Sequence, residues 1–144
     1  MGYNEENIVC YAEIRVIHVL TLLSGGEMKE AEYQQHIVSR IYDILPGEPL
    51  RDIIVYINDP NYIQGIPDLS VFYQPTAQWA MVEVKMSADA RERPNQRWYI
   101  EHWGKTIFTA FIYPENEEEV LIELSRSLQQ PLASGGQARF PGRQ

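Results

Sequence analysis

The chain has 144 residues, 44% of them hydrophobic, which suits one domain with a sizeable core. A single cysteine, Cys10, excludes an internal disulfide and a cysteine-based zinc site within one chain, and no apolar run reaches the roughly 18 residues of a membrane span. The net charge of −8 excludes a generally basic nucleic-acid coat protein.

In chain order, residues 1–27 read as an N-terminal extension to which the pattern assigns no single structure. The apolar run 14–23 resembles a signal-peptide core, but Glu5, Glu6 and Glu13 stand where a positive n-region belongs, and residues 24–27 make a poor cleavage site. The segment is expected either to pack on the domain as a strand or short helix, or to precede a natural start at Met28. A chain beginning at Met28 that keeps its folding and activity supports the second expectation, and one that fails to fold sinks it.

Spacing predicts a helix over 29–45, ended by Pro46 and Gly47, with Tyr33, Ile37, Ile41 and Ile44 as its apolar stripe. On a 3.6-residue turn Glu30 lies within about 20° of Ile37 and is expected to face inward, whereas Glu32 lies about 140° away. Both also suit the first turn of any helix, where the macrodipole favours acids. Residues 52–57 read as a strand and 58–61 as a turn, in which Asp59 ahead of Pro60 is expected as a turn former. Gly65 is expected to let the backbone pass close to a substrate or metal.

Asp68 opens an alternating strand over 69–73, and a turn around 74–76 leads to a partner strand over 79–85. Side chains two apart on a strand share a face, so Glu83 and Lys85 project together. A hairpin of this length brings Asp68 beside them. Two carboxylates and an ammonium on one patch suit metal-assisted phosphodiester hydrolysis. The carboxylates hold a hard divalent cation, and the lysine orients the attacking water or neutralises charge on the phosphate.

Residues 86–93 read as a polar loop, and Pro94 suits the first turn of a helix running to about Trp103 and closed by Gly104. Gln96, Tyr99, Ile100 and Trp103 share one face of it. Core packing is expected for Tyr99 and Trp103, which leaves Trp98 as the candidate for stacking on bases. From Lys85 to Lys105 five basic residues (Lys85, Arg91, Arg93, Arg97, Lys105) stand against three acidic ones, a local excess of two. That excess follows the carboxylate patch directly, where a phosphate backbone would run.

A buried strand is expected over 106–113, then a helix from 114 to about Leu128 with Val120, Leu121 and Leu124 inward. The acidic start of that helix suits the dipole rather than a metal. Residues 131–144 have the composition of a disordered tail, with Arg139 and Arg143 as weak phosphate contacts. His18, His36 and His102 are scattered and read as surface or packing residues.

Pro67-Asp68 followed by Glu83-Val84-Lys85 resembles the PD-(D/E)XK nuclease superfamily. The surroundings, Gln64-Gly65-Ile66-Pro67-Asp68-Leu69 before and Arg93-Pro94-Asn95-Gln96 after, look like the VRR-NUC branch, which includes phage-encoded relatives of Holliday-junction resolvases. The likeness spans about residues 28–128. It implies an α/β, restriction-endonuclease-like core over 28–130, ordered helix–three strands–helix–strand–helix with a mixed central sheet.

The resemblance also implies a DNA endonuclease that uses Mg²⁺, with Mn²⁺ substituting, on branched or flap DNA in phage recombination, repair or replication. Asp68, Glu83 and the Val84 carbonyl would bind the metal, together with a first-helix acid, for which Glu30 is preferred to Glu32. Lys85 and Gln96 would complete the catalytic set, and Arg91, Arg93, Arg97, Lys105 and Trp98 would contact DNA. Cutting two strands together implies a homodimer. The location implied is cytoplasmic, in a bacterial host cell if the protein is phage-encoded. Two other readings stay open: a non-catalytic DNA-binding module on this fold, and an acidic α/β interaction domain in which the motif is coincidental.

Overall fold

The computed structural model describes residues 28–131. The expectations for residues 1–27, including Cys10 and His18, and for the tail beyond 131, including Arg139 and Arg143, lie outside the described residues. Helix α1 (Glu30–Ile44) buries Tyr33, Ile37, Val38 and Ile41, following the 3.6-residue spacing of its apolar positions, with Ile44 half-buried. Its first turn is closed by Glu32, whose Oε2 accepts the Lys29 N–H at 2.9 Å. It ends where Leu45 turns extended ahead of Pro46.

Strands β1 (Ile53–Ile57), β2 (Leu69–Tyr73) and β3 (Gln78–Val84) follow, with a 3-10 turn over Gln74–Thr76 closing the β2–β3 hairpin. Helix α2 (Gln96–Trp103), strand β4 (Phe108–Ile112), a 3-10 turn over Pro114–Asn116 and helix α3 (Glu117–Gln129) come next. The sheet order is β1-β2-β3-β4. The first two pairings are antiparallel and β3–β4 is parallel. A parallel neighbour needs a crossover, and α2 supplies it. The protein is therefore an α/β structure with a mixed four-stranded sheet.

One face of the sheet forms the apolar core. Leu69, Val71 and Tyr73 of β2 and Ala80, Val82 and Val84 of β3 meet Ile37 and Ile41 of α1 and Leu121, Leu124 and Leu128 of α3. Each fully buried aliphatic side chain there contributes roughly 1.5–3 kcal/mol. The Tyr73 hydroxyl donates to the Pro46 carbonyl at 2.9 Å, tying the helix end to the sheet.

The opposite face is covered only in part, by α2. Thr109 and Phe111 pair with Met81 and Glu83 in register. Over them, the Thr109 hydroxyl donates to the Ile100 carbonyl at 3.0 Å, and the Arg97 guanidinium stands 5.4 Å from the Phe111 ring centroid.

Three expectations are corrected here. Helix α2 starts at Gln96 and not at Pro94, because Asn95 adopts a left-handed conformation (φ 69°) that helix cannot pass through. Tyr99 and Trp103 are half-buried rather than core residues. The eight-residue helix leans on the edge strand, so its rings meet each other edge to face, 5.2 Å apart, instead of entering the core. Strand β4 is shorter than expected and half-buried apart from Ile112, as an edge strand with one neighbour would be. His36 pairs with Glu117 at 2.6 Å between α1 and α3, and His102 stacks on Trp98. Among the described residues no helix is long and apolar enough to cross a membrane.

Candidate functional site

Strand β3 lies between β2 and β4, so both of its edges are paired and its alternating residues divide between the core face and the opposite face. Ala80, Val82 and Val84 enter the core, while Glu83 and Lys85 point the other way and are nevertheless only 2% and 8% exposed. Continuing the Leu69↔Val82 register by one step sets Asp68 opposite Glu83. The ladder ends there by exchanging backbone for side chain. The Asp68 N–H donates to Glu83 Oε2 at 3.1 Å, and the Val84 N–H donates to Asp68 Oδ2 at 2.9 Å.

Gln96, the first residue of α2 and its only buried one, closes the arrangement. Its Nε2 donates to Glu83 Oε1, and its Oε1 accepts from Lys85 Nζ at 2.8 Å and from the Arg93 N–H at 2.6 Å. Lys85 Nζ is also 3.3 Å from Glu83 Oε1 and donates to the Arg91 carbonyl at 3.4 Å. The lysine is thus held at three points. The left-handed turn at Asn95 aims Gln96 inward, and Gly65 makes room for that turn. Gly65 has φ 85°, and a Cβ there would stand 2.5 Å from the Pro94 carbonyl oxygen. Gly65 also lines the cavity on which these side chains open, so its close approach to the lead-in lies beside the site.

These side chains open on a cavity of about 220 Å³. It is lined by the buried Glu83, Lys85 and Gln96 with Asp68, by the exposed Glu30 and Arg93, and by residues of the 60–66 loop. The Glu83 carboxyl is pushed up to about 7, first by burial and then by the negative charge of Asp68, against the pull of Lys85. Asp68 is raised above the usual carboxylate range, chiefly by burial and further by Glu30, with the Val84 N–H opposing. Removing these carboxylates from water while keeping them adjacent is unfavourable, and a counter-charge relieves it.

The remaining predicted site residues are placed unequally. Glu30 reaches the cavity but is exposed at its rim rather than facing inward, because it is the first residue of α1 and lies beyond the end of the core stripe. Glu32 is turned back onto Lys29. Arg93 is exposed on the cavity wall, Arg91 is exposed beside it in sequence, and Lys105 is exposed just past α2. Arg97 is engaged within the fold: it pairs with Glu92, lies 3.7 Å from Glu101 and covers the Phe111 ring. Trp98 is half-exposed and stacked on His102, with ring centroids 4.4 Å apart. Asp59 Oδ1 accepts the Asn61 N–H at 2.8 Å, as a turn-forming aspartate does. Sequence reasoning did not select Asn61 and Gln64 on the cavity wall, nor Tyr56, Phe72 and Trp79 on the uncovered sheet face. The last three carried a signal, being aromatic at the non-core positions of their strands.

The donors suit a hard divalent cation in kind. They are carboxylate oxygens held in mutual repulsion, and Asp68 Oδ1 carries no hydrogen bond among the described residues. Among the described residues no three His, Cys, Asp or Glu side chains are gathered into one ligand group, Glu30 standing at the rim. No family model matches the chain, and no curated protein or solved structure matches it either. Function is therefore read from the site's own chemistry.

Proposed function

We propose that the protein is a metal-dependent DNA endonuclease of the PD-(D/E)XK, VRR-NUC type on a restriction-endonuclease-like core. The observation that carries this reading is the meeting of Asp68, Glu83, Lys85 and Gln96 at one cavity, with Glu30 at its rim. The element order helix–three strands–helix–strand–helix is the order that the motif implies.

Asp68, Glu83, Glu30 and the Val84 carbonyl would hold Mg²⁺ or Mn²⁺, which supplies Lewis acidity towards a phosphoryl oxygen and a more acidic bound water. Lys85 presents a fixed ammonium to charge that develops on the phosphate, and would orient the attacking water by giving up its longest contact, the 3.4 Å bond to the Arg91 carbonyl. Gln96 keeps Lys85 and Glu83 in register with each other. Arg93, on the wall, offers a phosphate contact, with Arg91 and Lys105 as outlying cations and Trp98 as a surface ring. Cutting both strands of a branched DNA calls for two sites, which a homodimer provides by symmetry.

A non-catalytic DNA-binding module is the second reading. It is favoured by the way the Glu83, Lys85 and Gln96 bonds close on one another with Glu30 left outside. The test is cleavage of labelled duplex, single-stranded, flap and four-way-junction DNA with Mg²⁺ or Mn²⁺, wild type beside Asp68→Ala and Lys85→Ala. Cleavage that needs metal and disappears in both variants is expected. Equal cleavage in all three would mean a contaminant. Tight, structure-selective binding without cleavage would establish the second reading instead.

A further inference from the structure

The sheet face opposite the core carries an exposed aromatic groove that the catalytic reading does not use. Register pairs Phe72 with Trp79 and Tyr56 with Ser70, which puts Tyr56, Phe72 and Trp79 on that face together. The Tyr56 and Trp79 rings are 6.1 Å apart and inclined by 25°, and Phe72 lies 4.8 Å from Trp79. Helix α2 covers β4 and leaves these rings open. Tyr56 is 48% exposed, Trp79 44% and Tyr62 90%. With Ile57, Ile63 and Ile66 they line a groove of about 480 Å³.

The groove and the catalytic cavity share a wall. Pro60, Asn61 and Gln64 face the cavity, Tyr62 and Ile63 face the groove, and Ile66 lines both. Chemistry decides what fits. Apart from tyrosine hydroxyls the groove's one ionisable group is Asp59, and no lysine or arginine lines it, so a phosphate backbone would be repelled. The Asn58 amide already donates to the Pro67 carbonyl at 2.9 Å and to Ser70 Oγ at 2.8 Å. What remains are exposed π-faces, which take bases of any sequence. A continuous duplex keeps its bases stacked inside and does not offer them.

Resting on the nuclease reading, we propose that this groove holds unpaired nucleobases flanking the phosphate in the cavity, and thereby selects DNA with a single-stranded segment. The backbone would turn at the 58–66 loop, with Arg93, which lines the cavity, receiving its charge.

The test measures affinity by fluorescence anisotropy without metal, and cleavage with Mn²⁺, for single-stranded, flap and blunt-duplex DNA of equal length. Trp79→Ala and Tyr56→Ala are expected to weaken single-strand and flap binding about tenfold while leaving duplex binding within about twofold, and Trp79→Phe is expected to retain most of the affinity. Circular dichroism melting checks that each variant is folded. Wild-type preference for duplex, or equal losses on every DNA, would overturn the proposal. Metal-dependent cleavage by wild type that the groove variants share unchanged would overturn it while leaving the nuclease reading intact. Base-dependent binding without cleavage of any DNA would keep the groove and remove the nuclease. A shift in oligomeric state by Trp79→Ala with DNA binding untouched would assign the groove to a second copy of the chain and overturn the proposal.

Discussion

Towards the C-terminal end of β3 both faces are hidden, and they are differently held. Ala80, Val82 and Val84 sit in an apolar core shared with α1 and α3, where any side chain of similar shape would serve. Glu83 and Lys85, on the other face, depend on named partners: Gln96 for both, the Asp68 N–H for the glutamate and the Arg91 carbonyl for the lysine. Burial of the first kind is cumulative and forgiving. Burial of the second kind leaves Asp68 and Glu83 in repulsion, and a protein that retains such an arrangement gains something other than stability from it.

The largest break in that comparison is expected from the polar face. Asp68→Ala and Lys85→Ala should each lower metal-dependent cleavage by about a thousandfold or more under single-turnover conditions, while both chains stay folded. The apolar face should respond in the opposite way. Leu124→Ala is expected to lower stability by about 2–5 kcal/mol in urea titration and leave cleavage per folded molecule unchanged.

Acidity sharpens the contrast further. Glu83 is protonated at higher pH when folded, about 7, than in the unfolded chain, where its ordinary value is 4.5. Between those pH values the folded chain binds more protons, so stability of the chelator-treated protein falls as pH rises through that window. The raised Asp68 adds to the fall. Glu83→Gln should flatten it, a difference on the order of 3 kcal/mol at the upper end. Urea midpoints measured across the window check this, and a wild-type stability that rises there would contradict it. A loss of about 2 kcal/mol or more is expected from Gly65→Ala, whose positive φ is joined by close approach of a Cβ to Pro94 and Asn95. Cleavage should weaken along with it, because the Gln96 lead-in shifts.

Much of this was legible in the sequence because it is local. The period of two in 69–73 and 79–85, and the 3.6-residue stripes of α1 and α3, belong to single elements. Asp68, Glu83 and Lys85 stood out because strand ends seldom carry three charges that packing would not choose. What was not legible depends on distance. Glu30's angle followed from its spacing, but its depth depended on where the core ends. Arg97 reads as a free cation until Glu92 and Glu101 are placed beside it. Gly65's neighbours are Pro94 and Asn95, about thirty residues along the chain. The aromatic cluster beside the groove takes one ring from each of three strands, so only their register assembles it. Amphipathicity gave α2 a face without saying that the face would rest on a half-exposed edge strand.

The most direct test of the contrast between the two faces is the melting temperature of the wild-type chain with and without Mn²⁺, beside Asp68→Asn. Two carboxylates in repulsion should gain from a divalent cation, so wild type is expected to melt several degrees higher with the ion, a shift that mass-action binding to the folded state produces. Asp68→Asn should show little or none of it. A wild-type melting temperature that does not respond to Mn²⁺, or a rise of equal size in the variant, would contradict a cation site on the polar face of β3.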